Sequence, residues 1–371
     1  MNENRTSRRN TIYLPQFTIG EDAFDAFGDE MLALGNTAAV IYGEKAWAAS
    51  KEEVVPALKR AGIRVACGMP YGHDATFENV EHMTKNPQVR EADYLLAVGG
   101  GKCIDTVKLA ADRLGKPVFT IPSIASNCAP VTRISIMYHE DGSFREISGL
   151  KTVPVHCFIN PRIILAAPVR YLWAGIGDAM AKNVESEWSA EAGERLNYGS
   201  ELGIMAGRLC FTPIIRDAGQ ALRDAAKGRN SDALEQTILN VVISPGITSV
   251  TVAPEYNGGV AHALFYGLTS RHHIERHHLH GEVVAYGTLV NLMLDVMHGG
   301  SRERLNAAYE FNRSLNLPVC LANLELDASD TLEDVLEVTL KNQELLHTPY
   351  PVSKEAIHQA ILNLEDYSPE T

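Results

Sequence analysis

Residues 93–108 read DYLLAVGGGKCIDTVK, an apolar run that ends in three glycines and then changes to helical periodicity. Residues 94–98 form a short continuous apolar segment, the pattern of a strand buried on both faces. Ile104, Val107, Ala111 and Leu114 then recur at helical intervals, which turns Lys108 and Asp112 away from that face. Gly99, Gly100 and Gly101 fall at the junction. Glycine lets a ligand approach the backbone closely, and the free amides and positive dipole of a helix start favour an anion such as a pyrophosphate. The standard nucleotide fingerprints do not match: a Rossmann motif needs glycine where Ile104 stands, and a P-loop needs Ser or Thr where Cys103 stands. On residues alone the turn reads equally as a tight connection.

Working outward, strand and helix patterns alternate. Residues 11–14, 38–42, 64–67 and 118–121 read as strands, and 22–34, 44–58 and 74–84 as helices. This order predicts a mostly parallel sheet with helices on both faces, binding its ligand at the carboxyl ends of the strands. Gly43, Glu44 and the glycine turn fall on that rim. Two alternating runs, RISIMY (133–138) and FREI (144–147), flank Asp141-Gly142 and predict a hairpin at the sheet edge.

Beyond residue 169 the period becomes helical, over 178–190, 198–210, 212–226, 231–242, 282–297, 333–342 and 354–364. The expected organisation is therefore an α/β domain over residues 1–168 and an all-helical domain over 169–371. A chain of 371 residues has the length for two such cores.

Composition excludes some classes. With 45% hydrophobic and 21% charged residues the chain is ordinary for a globular enzyme or binding protein, and its net charge of -13 argues against nucleic acid and anionic membranes as partners. The basic start MNENRTSRRN has no apolar stretch behind it, so it does not read as a secretory signal, and no run of about 18 apolar residues is present to span a membrane. The six cysteines have neither paired metal spacing nor the density of a disulfide scaffold, which points to a reducing cytoplasm.

The helical half holds the second group of chemical candidates. Asp178 lies in AGIGDAMAKNVE (174–185), His262 in NGGVAHALFYG (257–267) and His280 in HHLHGEVVAYG (277–287). Each alone also reads as a helix-start or core group. Together, one carboxylate and two imidazoles make a three-ligand set that leaves a fourth metal position open, the arrangement of a catalytic zinc. The run His272, His273, His277, His278 and His280 reads as a solvated loop or a surface metal-collecting tract.

Five stretches in order, GGGKCIDTVK (99–108), TIPSIASNCAP (120–130), APVRYLWAGIGDAMAK (167–182), AHALFYGLT (261–269) and HGEVVAYGTLV (280–290), resemble the metal-dependent, iron-containing type alcohol dehydrogenase superfamily, in its glycerol dehydrogenase-like branch. The resemblance implies a Rossmann-like amino-terminal domain plus an all-α carboxy-terminal domain, the dehydroquinate synthase-like fold, with the active site between them. It implies a metal held by Asp178, His262 and His280, which are catalytic through that metal. It further implies NAD, with Gly101, Lys102 and Asp105 at the pyrophosphate, Glu44 at the adenosine ribose, and Ser123, Ser126, Thr132, Ile134 and Tyr138 along the rest of the cofactor. A carboxylate at position 44 accepts from the ribose 2'-hydroxyl and repels a 2'-phosphate, hence NAD rather than NADP.

The implied activity is NAD-dependent oxidation of a small secondary alcohol or polyol by hydride transfer, the metal acting as Lewis acid at the substrate hydroxyl. The iron-type enzymes carry a fourth ligand, a histidine, where this chain has Lys182, so zinc is expected, with iron as the other candidate. Relatives also form homo-oligomers. The chain departs from the branch at Cys128, which replaces an aspartate near the substrate. That loss removes a polyol acceptor and a charge whose repulsion of a carboxylate is worth several kcal/mol at an effective dielectric of about 20. The alternative substrate is thus a hydroxycarboxylate or 2-oxo acid, with Arg133 as a potential partner for its carboxylate. Two further classes share the fold. A 3-dehydroquinate synthase would need a phosphate-binding basic set that is not seen, and a non-catalytic binding protein would have no need of an open metal position.

Overall fold

In the computed structural model, which describes residues 11–191, 193 and 195–369, the quoted stretch forms a central strand, Tyr94–Gly99, and a helix, Gly101–Leu114. The basic stretch at residues 1–10 lies outside the described residues. The strands in chain order are β1 (Phe17–Ile19), β2 (Thr37–Tyr42), β3 (Arg64–Pro70), β4 (Tyr94–Gly99), β5 (Val118–Pro122), β6 (Ile134–Tyr138), β7 (Phe144–Gly149) and β8 (His156–Ile159). Six of them make one sheet in the order β1-β8-β5-β4-β2-β3, with every pairing parallel.

Alternate residues of β4 feed two different cores. Tyr94, Leu96 and Val98 pack with Phe27, Leu58 and Phe119 on one face, whereas Leu95 and Ala97 pack with Val80, Ile104 and Val107 on the other. That is why the strand shows no polar alternation.

Three sequence expectations are corrected. The first strand lies at Phe17–Ile19 rather than 11–14. β8 is absent from the strand expectations because VHCFI is short and follows a hairpin; its partner is β5, not a neighbour in sequence. The hairpin β6–β7 does not extend the sheet edge, since its strands pair only with each other. Lys108, turned away from the apolar face of its helix, does not reach solvent. It is fully buried, because the segment after β5 folds back over the helix and supplies acceptors for its ammonium.

The helical domain is built around two helices, Arg170–Ala190 and His280–Met297, each buried along most of its length. They cross closely: a Cβ on Gly177 would lie 2.4 Å from the carbonyl oxygen of Gly281. Helices at Val260–Thr269, His272–His277 and Arg302–Leu315 add to those expected from periodicity. The two halves share a core, since Cys157 and Ile159 of β8 and Ala125 after β5 pack into the cluster that holds Ile176 and Met180. No helix among the described residues is long and apolar enough to cross a membrane.

Candidate active site at the domain junction

The strand order reverses between β2 and β4, so the crevice for a ligand lies at their carboxyl ends. Gly43 and Glu44 follow β2, and Gly99 to Gly101 close β4. The two turns are adjacent, with the Gly43 N–H donating to the Val98 carbonyl at 3.0 Å. The helix Gly101–Leu114 starts with no side-chain cap, which leaves its first amides free for an anion. A Cβ on Gly101 would lie 2.9 Å from Nδ2 of Asn127, so the loop after β5 closes directly on the glycine turn.

The residues expected along the cofactor form one connected stretch. Ser123 donates its N–H to the Gly99 carbonyl at 2.9 Å. Lys102 pairs with Asp74 at 2.7 Å, and its ammonium stands 4.5 Å from the centre of the Tyr138 ring. Beneath them, the Lys108 ammonium donates to the carbonyls of Ala129 (2.8 Å) and Ile134 (2.5 Å) and to Thr132 Oγ1 (3.1 Å), and lies 2.8 Å from Asp105 Oδ1. Asp105 Oδ2 in turn accepts the Ile136 N–H at 3.2 Å. Asp105 is therefore spent inside the protein: it fastens the helix behind the glycine turn to the strand that carries Ile134 and Tyr138. Glu44 is exposed on the first turn of the helix Glu44–Arg60, on the rim.

The helix Arg170–Ala190 brings the second half of the site against this loop. A Cβ on Gly175 would lie 2.4 Å from the Ala125 carbonyl oxygen and 2.8 Å from Ser126 Cα, so only glycine lets the helix pass there. One turn on, Asp178 meets the two histidines. Its Oδ1 is 3.0 Å from His280 Nε2 and 3.4 Å from His262 Nε2, and the three ligand atoms all lie within 4.8 Å of one another. A tetrahedral ion with bonds of about 2.0–2.1 Å has ligand-to-ligand edges of roughly 3.3–3.4 Å, so the Asp178–His262 edge matches a small divalent cation and the Asp178–His280 edge is a few tenths of an ångström shorter.

The electrostatics agree. Burial alone would raise the Asp178 carboxyl, but hydrogen bonds from His262 and His280 hold it well below the carboxylate range. Burial would lower His262, yet the Glu185 and Asp178 carboxylates raise it to about 10. Two carboxylates and two imidazoles at this spacing attract a cation, and a proton takes that place on His262.

Among the described residues no other three ligating side chains converge. The histidine tract is dispersed into ion pairs, His277 with Glu325 at 2.8 Å and His278 with Glu282 at 2.8 Å. Cys128 stands in the loop after β5, its Cβ 3.7 Å from where a Cβ on Gly246 would be. Burial pushes its thiol up to about 11, so it is a neutral group near the ligand set. Arg133 is exposed at the start of the hairpin.

Other neighbours were assigned no role from sequence. Glu185, fully buried, accepts the His262 N–H at 2.8 Å on Oε1 and pairs with His262 Nδ1 at 2.6 Å on Oε2. Glu344 reaches in from the far end of the chain, its carboxylate filling the space that a Cβ on Gly258 would need. Phe265 packs edge-on against the His280 ring at 4.2 Å, while Tyr266 meets Phe144 of the hairpin at 5.1 Å and so closes one side of the cleft. A signal for Glu185 exists: Asp178, Lys182 and Glu185 sit at i, i+4 and i+7 on one helix face. Glu344 has no such local signal.

Residues 15–161 match the family model for the iron-containing alcohol dehydrogenases. The chain is 31% identical over 307 residues to a glycerol dehydrogenase of Thermotoga maritima, covering 80% of this chain and 81% of that protein. It is 30% identical over 350 residues to hydroxycarboxylate dehydrogenase A of Escherichia coli K12, covering 92% of each. The crystal structure of glycerol dehydrogenase from Schizosaccharomyces pombe superimposes with a TM-score of 0.85 at 26% identity, covering 97% of this chain and 91% of that one. The chain belongs to the iron-containing alcohol dehydrogenase superfamily, in its glycerol dehydrogenase-like branch.

Proposed function

We propose that this family member is an NAD-dependent, metal-dependent oxidoreductase that oxidises a small secondary alcohol or polyol, with residues 1–168 holding the cofactor and residues 169–371 the metal. The observation that carries this reading is the convergence of Asp178, His262 and His280 beside the loop that runs from Ser123 to Tyr138. When bound, a divalent metal on these three ligands supplies a Lewis acid that stabilises negative charge on the substrate oxygen.

The chain's own residues do the rest. Glu185 fixes the His262 ring so that Nε2 faces the ligand set. The uncapped amides at Gly101 would hold the pyrophosphate, and Glu44 would accept hydrogen bonds from the ribose hydroxyls. The Asp105–Lys108 tie holds Thr132, Ile134 and Tyr138 along the nicotinamide half. Phe144 and Tyr266 exclude water from one side. When bound, the nicotinamide would supply the hydride acceptor, a chemistry that belongs to the cofactor.

Zinc is the favoured metal, because the place of a fourth imidazole is held by Lys182, whose amine donates to the Asn257 carbonyl at 2.9 Å. The six cysteines stand as free thiols, which supports a cytoplasmic enzyme. Tyr198 (74% exposed) and Met205 (65% exposed) on one helix give an apolar face that supports a homo-oligomer, checked by light scattering.

The deciding experiment follows NADH absorbance with zinc-loaded protein, NAD, and glycerol or 1,2-diols, before and after chelation. Chelator-sensitive turnover is expected. Activity that survives complete removal of the metal overturns the reading.

One observation favours a second substrate class, a 2-hydroxy acid and its 2-oxo partner. The neutral Cys128 thiol stands where the branch has an aspartate, and hydroxycarboxylate dehydrogenase A is among the relatives. Cys128→Asp then shifts preference toward glycerol, and an unchanged preference removes Cys128 as the selector.

A further inference from the structure

Lys182 lies one turn beyond Asp178, so its side chain leaves the same helix face as the metal carboxylate. It is half-buried, and its ammonium has a single protein acceptor among the described residues, the Asn257 carbonyl at 2.9 Å. No carboxylate among those residues comes within ion-pair distance, although a lysine carries three donors and a positive charge that is costly to hold unpaired in a cleft.

The surroundings make the absence of an anion more telling. Of the charges around the Cys128 thiol, that of Lys182 acts on it most strongly, and Lys182 also acts on the Glu344 carboxyl. Neither is a full counter-ion. Cys128 is a neutral thiol, and the Glu344 carboxylate lies outside ion-pair distance of the Lys182 ammonium. Arg133, the other cation considered for a substrate carboxylate, is exposed on the hairpin.

Resting on the second substrate class proposed above, we infer that Lys182 is the specificity-determining cation of this site, receiving a carboxylate on the carbon next to the reacting one. The substrates it favours are 2-hydroxy acids and 2-oxo acids over neutral diols and ketols of the same size. In the reductive direction, NADH gives a hydride to C2 of the 2-oxo acid and a proton goes to its oxygen, yielding the 2-hydroxy acid and NAD. The carboxylate is unchanged throughout, so Lys182 binds and orients but takes no part in the electron balance.

The test compares pyruvate with hydroxyacetone, which share a skeleton and differ in carboxylate against hydroxymethyl, using the zinc-loaded enzyme, NADH, and the variants Lys182→Gln and Lys182→Arg. Wild-type enzyme is expected to favour pyruvate. The pyruvate-to-hydroxyacetone ratio of kcat/KM should fall about tenfold or more in Lys182→Gln, mainly through KM for pyruvate, and largely hold in Lys182→Arg. Glutamine can still donate to the Asn257 carbonyl, so a merely structural lysine would depress both substrates together and leave the ratio unchanged, which overturns the inference. Should Lys182→Gln fail to fold, added salt on the wild-type enzyme decides: KM for pyruvate rises while that for hydroxyacetone stays level. A flat response for both overturns it. Turnover of hydroxyacetone without pyruvate sinks the role of Lys182 and leaves the dehydrogenase reading standing, whereas turnover of neither, nor of any alcohol with NAD, sinks both.

Discussion

Glu185 grips His262 twice, accepting its backbone N–H at 2.8 Å on one carboxylate oxygen and its Nδ1 proton at 2.6 Å on the other. The imidazole therefore has one orientation and one tautomer toward the ligand set. A carboxylate behind a metal histidine also raises its basicity.

Glu185→Gln keeps the shape and one acceptor but removes the charge. Zinc affinity should fall about 10–100-fold, read by chelator competition, with NAD binding retained. Unchanged zinc affinity would mean that Glu185 serves packing alone.

Metal uptake should be strongly pH-dependent. In the metal-free protein, His262 is raised to about 10 by Glu185 and Asp178 against the effect of burial, so a bound metal must displace its proton. One proton released makes apparent affinity rise about tenfold per pH unit across pH 7–9. The same shift acts on stability: the folded value lies above the unfolded value of about 6.5, so the contribution is complete below that pH and is lost as pH rises through about 10. Thermal melts of metal-free protein should decline toward pH 10, and those of zinc-loaded protein should decline less.

Glu44 sits exposed on the first turn of its helix, at the rim beside the glycine turn. Wild-type enzyme should prefer NAD to NADP. Glu44→Ser should narrow that preference about tenfold in kcat/KM, by removing both the ribose acceptor and the repulsion of a 2'-phosphate. A higher specificity constant for NADPH in the wild-type enzyme would contradict the role given to Glu44.

Gly281 follows His280 at the helix crossing, and a Cβ there would lie 1.9 Å from the Ala174 carbonyl oxygen and 3.0 Å from Asp178 Cβ. Gly281→Ala should cost about 1–3 kcal/mol of stability or more and move His280 away from Asp178. A lowered melting midpoint together with weakened zinc binding is the expected result.

How much of this was legible depends on how local each signal is. β4 and its helix could be read because both faces of β4 are buried and the glycines mark its end. β8 could not, since four residues, HCFI, acquire meaning only through pairing with β1 and β5. Asp178, His262 and His280 stood as candidates by residue type, and only the resemblance joined them as a ligand set, because a span of 102 residues between Asp178 and His280 carries no periodic signal. The burial of Lys108 was not legible for the same reason: its acceptors lie 21 to 26 residues further on.

The sequence by itself determined the division into an α/β half and a helical half, the glycine turn at the end of β4, and the residue types able to hold a metal and NAD. These follow from periodicity, backbone freedom and side-chain chemistry, which neighbouring residues express without help. Tertiary structure decided that Glu185 stands behind His262, that Asp105 is spent on Lys108, and that Lys182 is left, among the described residues, with one carbonyl and no counter-ion. Such pairings depend on which distant segments share a few ångströms of poorly solvated space, and only the packed helices at Gly175 and Gly281 bring those segments together.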